Sequence, residues 1–377
     1  MKILIDARMY GLEHSGIGRY LINLIKELTR TRSKHQFVVL LRKNYFKKLN
    51  LPENWKKVLA DFRHYTFAEQ IKLPGLIKKS NPDIVHFPHF NIPVLYKGKF
   101  IVTIHDMSMH RQGINATKLP LPLYLVKRLP YKYIFRRAIE TSVSVITPTK
   151  TVKEEIKKYY KIPDEKISVI YEGAPVFDAD SKFNTGYFKI LSRYNIKKPY
   201  FIYIGNAYPH KNLERLIEAI IMLNQNRKEK VQLAVATSGG IFTQRLSKII
   251  NKSSAEEYVK LLNFVTDAEL EELLANSCAF IYPSLSEGFG LQGLESIAAG
   301  TLVLASDISV FKEVYEDNVI YFNPYDFASI AKAMKDALEM DNNLRQKFIK
   351  KAQVFIKRYT WSKMAKETLK VINSSVA

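Results

Sequence analysis

The chain of 377 residues holds one cysteine, Cys278. That excludes an intramolecular disulfide and fits a reducing compartment. No apolar run approaches the roughly 18–20 residues needed to cross a bilayer. The opening MKILIDARMY is interrupted by Asp6 and Arg8 too early for a signal sequence, so it reads as a first strand. The chain is therefore expected in the cytoplasm. Low-complexity tracts and internal repeats are absent, which excludes solenoids and disordered linkers. No His, Cys, Asp or Glu set has metal-ligand spacing; the DAD run at Asp178–Asp180 reads as a solvated turn, and no metal is expected. Zinc-finger spacing, an RNP-type aromatic motif and a basic coiled coil are all missing. A basic nucleic-acid-binding protein thus stands only as a rival reading, despite a pI near 9.7.

Acidic residues are scarce in one half only. The net charge is +22, from 58 Lys+Arg against 36 Asp+Glu. Residues 1–172 hold 32 basic against 14 acidic residues, whereas the remaining 205 hold 26 against 22. Such a field attracts acidic lipid head groups, lipid-linked diphosphates or nucleic acid. A generic basic surface is the bland alternative.

What is present suits two α/β domains. A hydrophobic fraction of 47% supports real cores, and the length fits two domains of ordinary size. Short β-branched or aromatic runs alternate with amphipathic segments, the pattern of βα units and parallel sheets. Strands are predicted at Lys2–Asp6, Gln36–Leu41, Ile84–Phe87, Phe100–Ile104, Val143–Thr147 and Ile167–Ile170. After a Gly-, Pro- and Ser-bearing stretch, the alternation restarts at Tyr200–Ile204 and runs to Val319–Phe322. This predicts a first domain over 1–172, a linker over 173–198 and a second domain over 199–359. Two such halves make a cleft, and ligands of these sheets sit at the carboxyl ends of strands.

The most informative segment is Ile281–Asp307, IYPSLSEGFGLQGLESIAAGTLVLASD. A strand ends at Tyr282, a loop carries Glu287, and Gly288 and Gly290 open a helix. Glycines let backbone N–H groups approach a ligand, and a helix N-terminus favours an anion. Glu287 and Glu295 can accept hydrogen bonds from sugar hydroxyls. Equally, Glu287 is a capping-turn carboxylate and Glu295 a solvated helix residue. A second segment, Tyr203–Leu213 (YIGNAYPHKNL), places Gly205 in a tight turn and Lys211 at a helix start, suited to a diphosphate or simply solvated. In the first half, HSGIGRY at His14–Tyr20 follows a strand and opens a helix, and TIHDM at Thr103–Met107 puts His105 and Asp106 at a strand end. A GxG-type loop alone is weak, and a lone strand-end histidine is more often structural.

Together these segments resemble the signature of the family 4 retaining glycosyltransferases, which have the GT-B fold. The Pro-Ser loop, EGFG, the two glutamates, LES and AAG all match. The resemblance spans nearly the whole chain and implies two Rossmann-like β/α/β domains facing each other across a cleft. It also implies a C-terminal helix (360–377) crossing back to the first domain. By resemblance, Glu287 contacts the donor hexose and Glu295 the nucleotide ribose. Gly288, Phe289, Gly290, Leu291, Gly205 and Asn206 line the donor site, and Lys211 meets the leaving diphosphate. His105 lines the sugar site as a donor-positioning group, not a proton shuttle. Gly16, Gly18, Arg19 and Asp106 form an acceptor and phosphate loop. Two departures stand out: Gln292 where the family often has Pro, and Asn206 where it usually has an Arg partner for the lysine. Either Lys211 and helix dipoles suffice, or Arg19 or Arg193 fills in.

The implied donor is a nucleotide sugar, with no other cofactor. Similarity to bacterial polysaccharide mannosyltransferases, carried by GIGRY, HFPHF and TIHD, favours GDP-mannose. The implied acceptor is a glycan or a polyprenyl-diphosphate-linked glycan in cell-surface polysaccharide synthesis. A soluble glucan or disaccharide synthase using a UDP- or ADP-sugar is the close alternative. Lys118–Arg137 interleaves Leu, Tyr and Phe with cations, which suits either an anionic membrane surface or a buried amphipathic helix. Asn44–Lys57, with Tyr45, Phe46, Lys47, Lys48 and Trp55, offers a second such patch. Peripheral attachment to the inner face of the membrane is therefore expected.

Overall fold

A computed structural model describes residues 1–111, 121–175, 187–237, 239–262 and 265–376. Two compact units emerge. The first takes Met1–His110, continues to Gly173 and regains the chain at Tyr359–Ala377, while the second holds Ala174–Arg358.

The first unit is built on seven parallel strands: β1 (Lys2–Asp6), β2 (Gln36–Leu41), β3 (Trp55–Leu59), β4 (Ile84–Phe87), β5 (Phe100–Thr103), β6 (Ser144–Thr147) and β7 (Ile167–Val169), in the order β3-β2-β1-β4-β5-β6-β7. Strands covered on both faces must be apolar throughout, which is why they read as runs such as FVVLL rather than as alternations. One face packs Ile3, Ile5, Phe37 and Val39 under helix α1 (Ser15–Arg30). The other packs Leu4, Val38, Val85 and Phe87 under α2 (Phe67–Ser80) and α3 (Leu121–Thr141). Of the Lys118–Arg137 segment named by the membrane expectation, residues 118–120 and the side chains of 121–127 lie outside the described residues, as does Asp178–Asp180.

The second unit carries six parallel strands: β8 (Tyr200–Ile204), β9 (Gln232–Ala236), β10 (Val259–Leu262), β11 (Phe280–Tyr282), β12 (Val303–Ser306) and β13 (Ile320–Phe322), in the order β10-β9-β8-β11-β12-β13. The linker expected over 173–198 is not all linker. Tyr187–Tyr194 forms a helix, α4, that packs with α6 (Asp267–Ala275) in the second unit and buries Leu191. Its short pattern of about two turns is masked by the Gly, Pro and Ser around it. Helix α5 (Leu213–Asn224) follows β8, and α7 (Leu291–Ala298) follows β11.

The last helix, α9 (Trp361–Ser374), belongs to the first unit and packs along α1. Thr360 caps it by accepting the Lys363 N–H, and Met364, Ala365, Thr368 and Ile372 make its buried stripe. A Cβ at Gly173 would collide with the Trp361 backbone, so only glycine lets the chain pass there. Between α7 and α9, the short helix α8 (Ser309–Tyr315) follows β12. Among the described residues no helix is long and apolar enough to cross a membrane.

The second amphipathic patch expected at Asn44–Lys57 is corrected by β3. Trp55 is buried and stacks on Phe37 with centroids 4.2 Å apart. Tyr45 donates to Glu13 Oε2 at 2.6 Å, and Lys57 Nζ donates to Leu49 O at 2.9 Å. The edge strand turns its aromatic inward, while Lys56 and Lys57 break its apolar run and give the sequence the look of a surface segment.

Candidate active site

In the second sheet the strand order reverses between β8 and β11, the place where an open α/β sheet binds its ligand. Loops leaving the carboxyl ends of these two strands carry Lys211 and Glu287. Backbone bonds hold the loops together: Leu285 N–H donates to His210 O at 2.7 Å. Asn212, in the left-handed region at φ 59°, donates Nδ2 to Pro283 O at 3.1 Å and to Pro324 O at 2.7 Å. Asparagine tolerates that conformation, and its amide ties three loops at once. The result is a direct ion pair, Lys211 Nζ to Glu287 Oε1 at 2.5 Å, with both side chains largely buried.

The pair rests on buried tyrosines. Lys211 Nζ lies 5.9 Å from the Tyr282 ring centroid. Burial, then the Glu287 charge, pushes both Tyr282 and Tyr203 well above the usual phenol range, so both stay neutral donors. Tyr282 donates to Gln292 Oε1 at 2.7 Å, and Tyr203 to Asn206 O at 2.7 Å. Gln292, the departure from the family pattern, thus serves a buried hydroxyl. Asn206 shapes its turn, its Oδ1 accepting the Tyr208 N–H at 3.3 Å, and supplies no cation. Arg193 does not fill that gap, since it pairs with Glu269 at 2.6 Å on α6. Arg215, which the sequence did not single out, donates to Asn212 Oδ1 at 3.0 Å.

Gly290 caps α7 at φ 103°, where a side chain is strained, and a Cβ there would meet the Tyr315 hydroxyl and Phe311 Cε1. Tyr315 donates to Gly290 O at 2.5 Å and locks this cap. Gly293 N–H donates to Gly290 O at 3.1 Å, and the start of α7, like any helix N-terminus, favours negative charge. The side chains of Phe289 and Leu291 are buried. Gly288 and Glu295 are half-buried, Glu295 inside α7. Gly205, at φ 150°, lets the Tyr203 hydroxyl approach at 2.7 Å from where a Cβ would stand.

The first unit gathers a separate polar cluster. His105 Nδ1 lies 3.0 Å from Glu172 Oε1, and its Nε2 lies 3.0 Å from Pro88 O. A carbonyl only accepts, so Nε2 carries the hydrogen. Both ring nitrogens are therefore engaged within the unit. Tyr20 packs edge-on at 4.9 Å. Sequence reasoning missed Glu172; its only signal was a carboxylate just past the last strand. It also missed Asp6, Arg8 and Glu69, a buried network in which Arg8 donates to Asp6 at 2.6 Å and to Glu69 at 2.7 Å. Burial would raise Asp6 and Glu69, but the Arg8 charge and hydrogen bonds, joined at Glu69 by His64 and Asn91, hold both carboxyls below their usual range.

Two expected loop residues prove helical. Gly16 and Gly18 lie in the first turns of α1, and the glycine that uses a positive φ here is Gly11 at 131°. Gly18 is needed because the Gly11 carbonyl packs where its Cβ would be. Asp106 is exposed and accepts the Ser108 N–H at 2.7 Å, capping a one-turn helix. Arg19 is half-buried on α1. Among the described residues no group of three His, Cys, Asp or Glu is arranged to hold a metal.

Two Rossmann-like units, one with a lysine–carboxylate pair at its switch point, have the GT-B architecture. The family described as "Glycosyl transferases group 1" matches residues 189–355, and "Glycosyltransferase Family 4" matches residues 14–176. The chain belongs to the family 4 GT-B glycosyltransferases. It is similar to O-antigen chain mannosyltransferase RfbU of Salmonella typhimurium, 26% identical over 361 residues, covering 90% of this chain and 94% of that protein. O-antigen chain mannosyltransferase B of Escherichia coli is 23% identical over 387 residues, covering 98% of each. The solved structure of Anabaena HepE in complex with UDP and glucose superposes with a TM-score of 0.76 at 16% identity, covering 99% of this chain and 100% of that one. That likeness is one of fold.

Proposed function

We propose that the protein is a retaining, metal-independent hexosyltransferase that moves mannose from GDP-mannose onto a glycan or polyprenyl-diphosphate-linked acceptor. It would act at the cytoplasmic face of the membrane in cell-surface polysaccharide synthesis. The observation that carries this reading is the Lys211–Glu287 pair at the β8/β11 switch point, beside the α7 N-terminus. The mannosyl choice is supported by the two relatives named as O-antigen chain mannosyltransferases.

Negative charge develops on the diphosphate as the sugar leaves. Lys211 and the first amides of α7 stabilise it there, the kind of preorganised contact that dominates many transfer reactions. Glu287 accepts from the hexose hydroxyls and Glu295 from the ribose. No second carboxylate is assigned to attack the anomeric carbon. The acceptor therefore enters on the face the diphosphate leaves, its proton passing to the departing phosphate oxygen. His105, held within the first unit by Glu172 and the Pro88 carbonyl, is assigned to donor positioning by its resemblance to the family alone.

A thermal-shift series with GDP-mannose, GDP, UDP-glucose and UDP-GlcNAc tests the donor. Stabilisation by GDP-mannose and GDP is expected. A response confined to the UDP compounds would overturn the donor assignment. NMR of the product then reads retention, and transfer in excess chelator reads metal independence.

A further inference from the structure

Helix α2 leaves an unusual surface. Its inward face buries Glu69, Leu73 and Ile77, while Phe67 and Ile71, one turn apart, stand 88% and 75% exposed. Gln70 beside them donates Nε2 to Ile92 O at 3.2 Å and accepts the Val94 N–H at 2.8 Å. From α3, Arg137 Nε donates to Val94 O at 2.6 Å. These bonds join α2, the 92–95 turn and α3 into one surface. The turn presents Leu95, 77% exposed, and α3 presents Leu129, 72% exposed, and Tyr133. Phe90 packs beneath, its ring 6.3 Å from Tyr65 and 5.1 Å from Tyr131 and Phe135. The projecting groups thus stand on a packed base. Single exposed hydrophobics need no explanation, but five on three bonded segments form a patch.

The surrounding charge has one sign. Along 67–80 and 92–99 the cations are Lys72, Lys78, Lys79, Lys97 and Lys99, and the sole acid, Glu69, is buried against Arg8. On α3, Lys132 and Arg136 are exposed, and Glu140 pairs with Arg136 at 2.7 Å.

We propose that this surface docks the first unit onto an anionic lipid bilayer. Phe67, Ile71, Leu95 and Leu129 enter the acyl boundary, and the lysines meet phosphate head groups. A protein interface fits less well, because such interfaces deplete lysine while a lipid surface rewards it. The surface serves the peripheral attachment proposed above, but it rests on exposure and charge and not on which sugar is moved. It also lies largely outside the 118–137 segment, since α2 and the 92–95 turn supply most of its apolar groups.

Sedimentation of the full chain with phosphatidylcholine vesicles, with and without phosphatidylglycerol, tests this. Binding is expected only with the anionic lipid, weakening as salt rises. Phe67→Ser/Ile71→Ser should bind about tenfold more weakly with an unchanged thermal midpoint, both side chains being exposed. Lys72→Gln/Lys97→Gln/Lys132→Gln should lose binding and its salt dependence together. Wild-type protein left in the supernatant, or the serine variant binding as wild type, overturns the proposal. So does a wild-type dimer in ultracentrifugation that the serine variant dissolves, with no vesicle binding. Transfer to a soluble acceptor is read separately: its absence alongside intact vesicle binding would count against the enzyme reading alone.

Discussion

Lys211 Nζ and Glu287 Oε1 meet at 2.5 Å, although their loops leave different strands and lie 76 residues apart in sequence. The two side chains expected to serve different parts of the donor, lysine the diphosphate and carboxylate the hexose, form one ion pair, so each neutralises and positions the other.

That coupling predicts non-additivity. Lys211→Ala and Glu287→Ala should each lower transfer by about 10²–10³-fold, the scale for removing a preorganised charge contact. The double variant should lose little more than the worse single one, because residues acting as a unit do not sum. Steady-state rates with saturating donor measure this, and multiplicative losses would separate the two roles.

The α7 cap is expected to be intolerant of a side chain. Gly290→Ala combines a positive φ with a Cβ driven against Tyr315 and Phe311 Cε1 at 3.0 Å. A destabilisation of about 1–3 kcal/mol is expected in thermal unfolding, together with weaker donor binding. Gly16→Ala, on an open helical position, should be silent or mildly stabilising.

Gln292 is predicted to matter through Tyr282. Gln292→Leu strands a buried hydroxyl and should cost roughly 1–3 kcal/mol, whereas Tyr282→Phe/Gln292→Leu removes both partners and should recover most of it. Unfolding midpoints of the two singles and the double decide the point. A double variant as unstable as Gln292→Leu would mean that the hydrogen bond is incidental.

Acid should loosen the first unit before neutral carboxylate chemistry begins. Burial first, then the neighbouring His105, pushes His86 and His89 down to about 3, so both are neutral in the fold. In the unfolded chain each takes up a proton near its ordinary value, about 6.5. Stability from these neutral rings is complete above that value and falls as pH drops toward 3, by about 1.4 kcal/mol per pH unit for each ring. Asp6 and Glu69, held low by Arg8, add a further loss below about pH 4.5. Thermal midpoints measured at about pH 7, 6 and 5 should fall steadily; a flat profile would show the histidines to be solvated.

Much of the scaffold was legible because parallel strands covered on both faces must be apolar throughout. Runs such as FVVLL and FIYIG announce themselves. Trp55–Leu59 and Phe67–Ser80 did not, the first because Lys56 and Lys57 interrupt the apolar run of an edge strand, the second because Pro74 and an exposed apolar face blur the helical period. The paired glutamates of α7 and its loop were visible as spacing. Glu172, Arg8 and Glu69 were not, since nothing in a local window says that a charge will be buried opposite another some sixty residues away.

Sequence alone therefore determined the fold class and the family and nominated the candidate donor-site side chains, because periodicity and motif spacing are local properties of the chain. Tertiary structure decided which of those side chains touch: Lys211 with Glu287, His105 with Glu172, Arg8 between Asp6 and Glu69. It also turned Trp55 inward and left Phe67 outside. Strand order and loop closure set these distances, and both come from packing across the whole sheet.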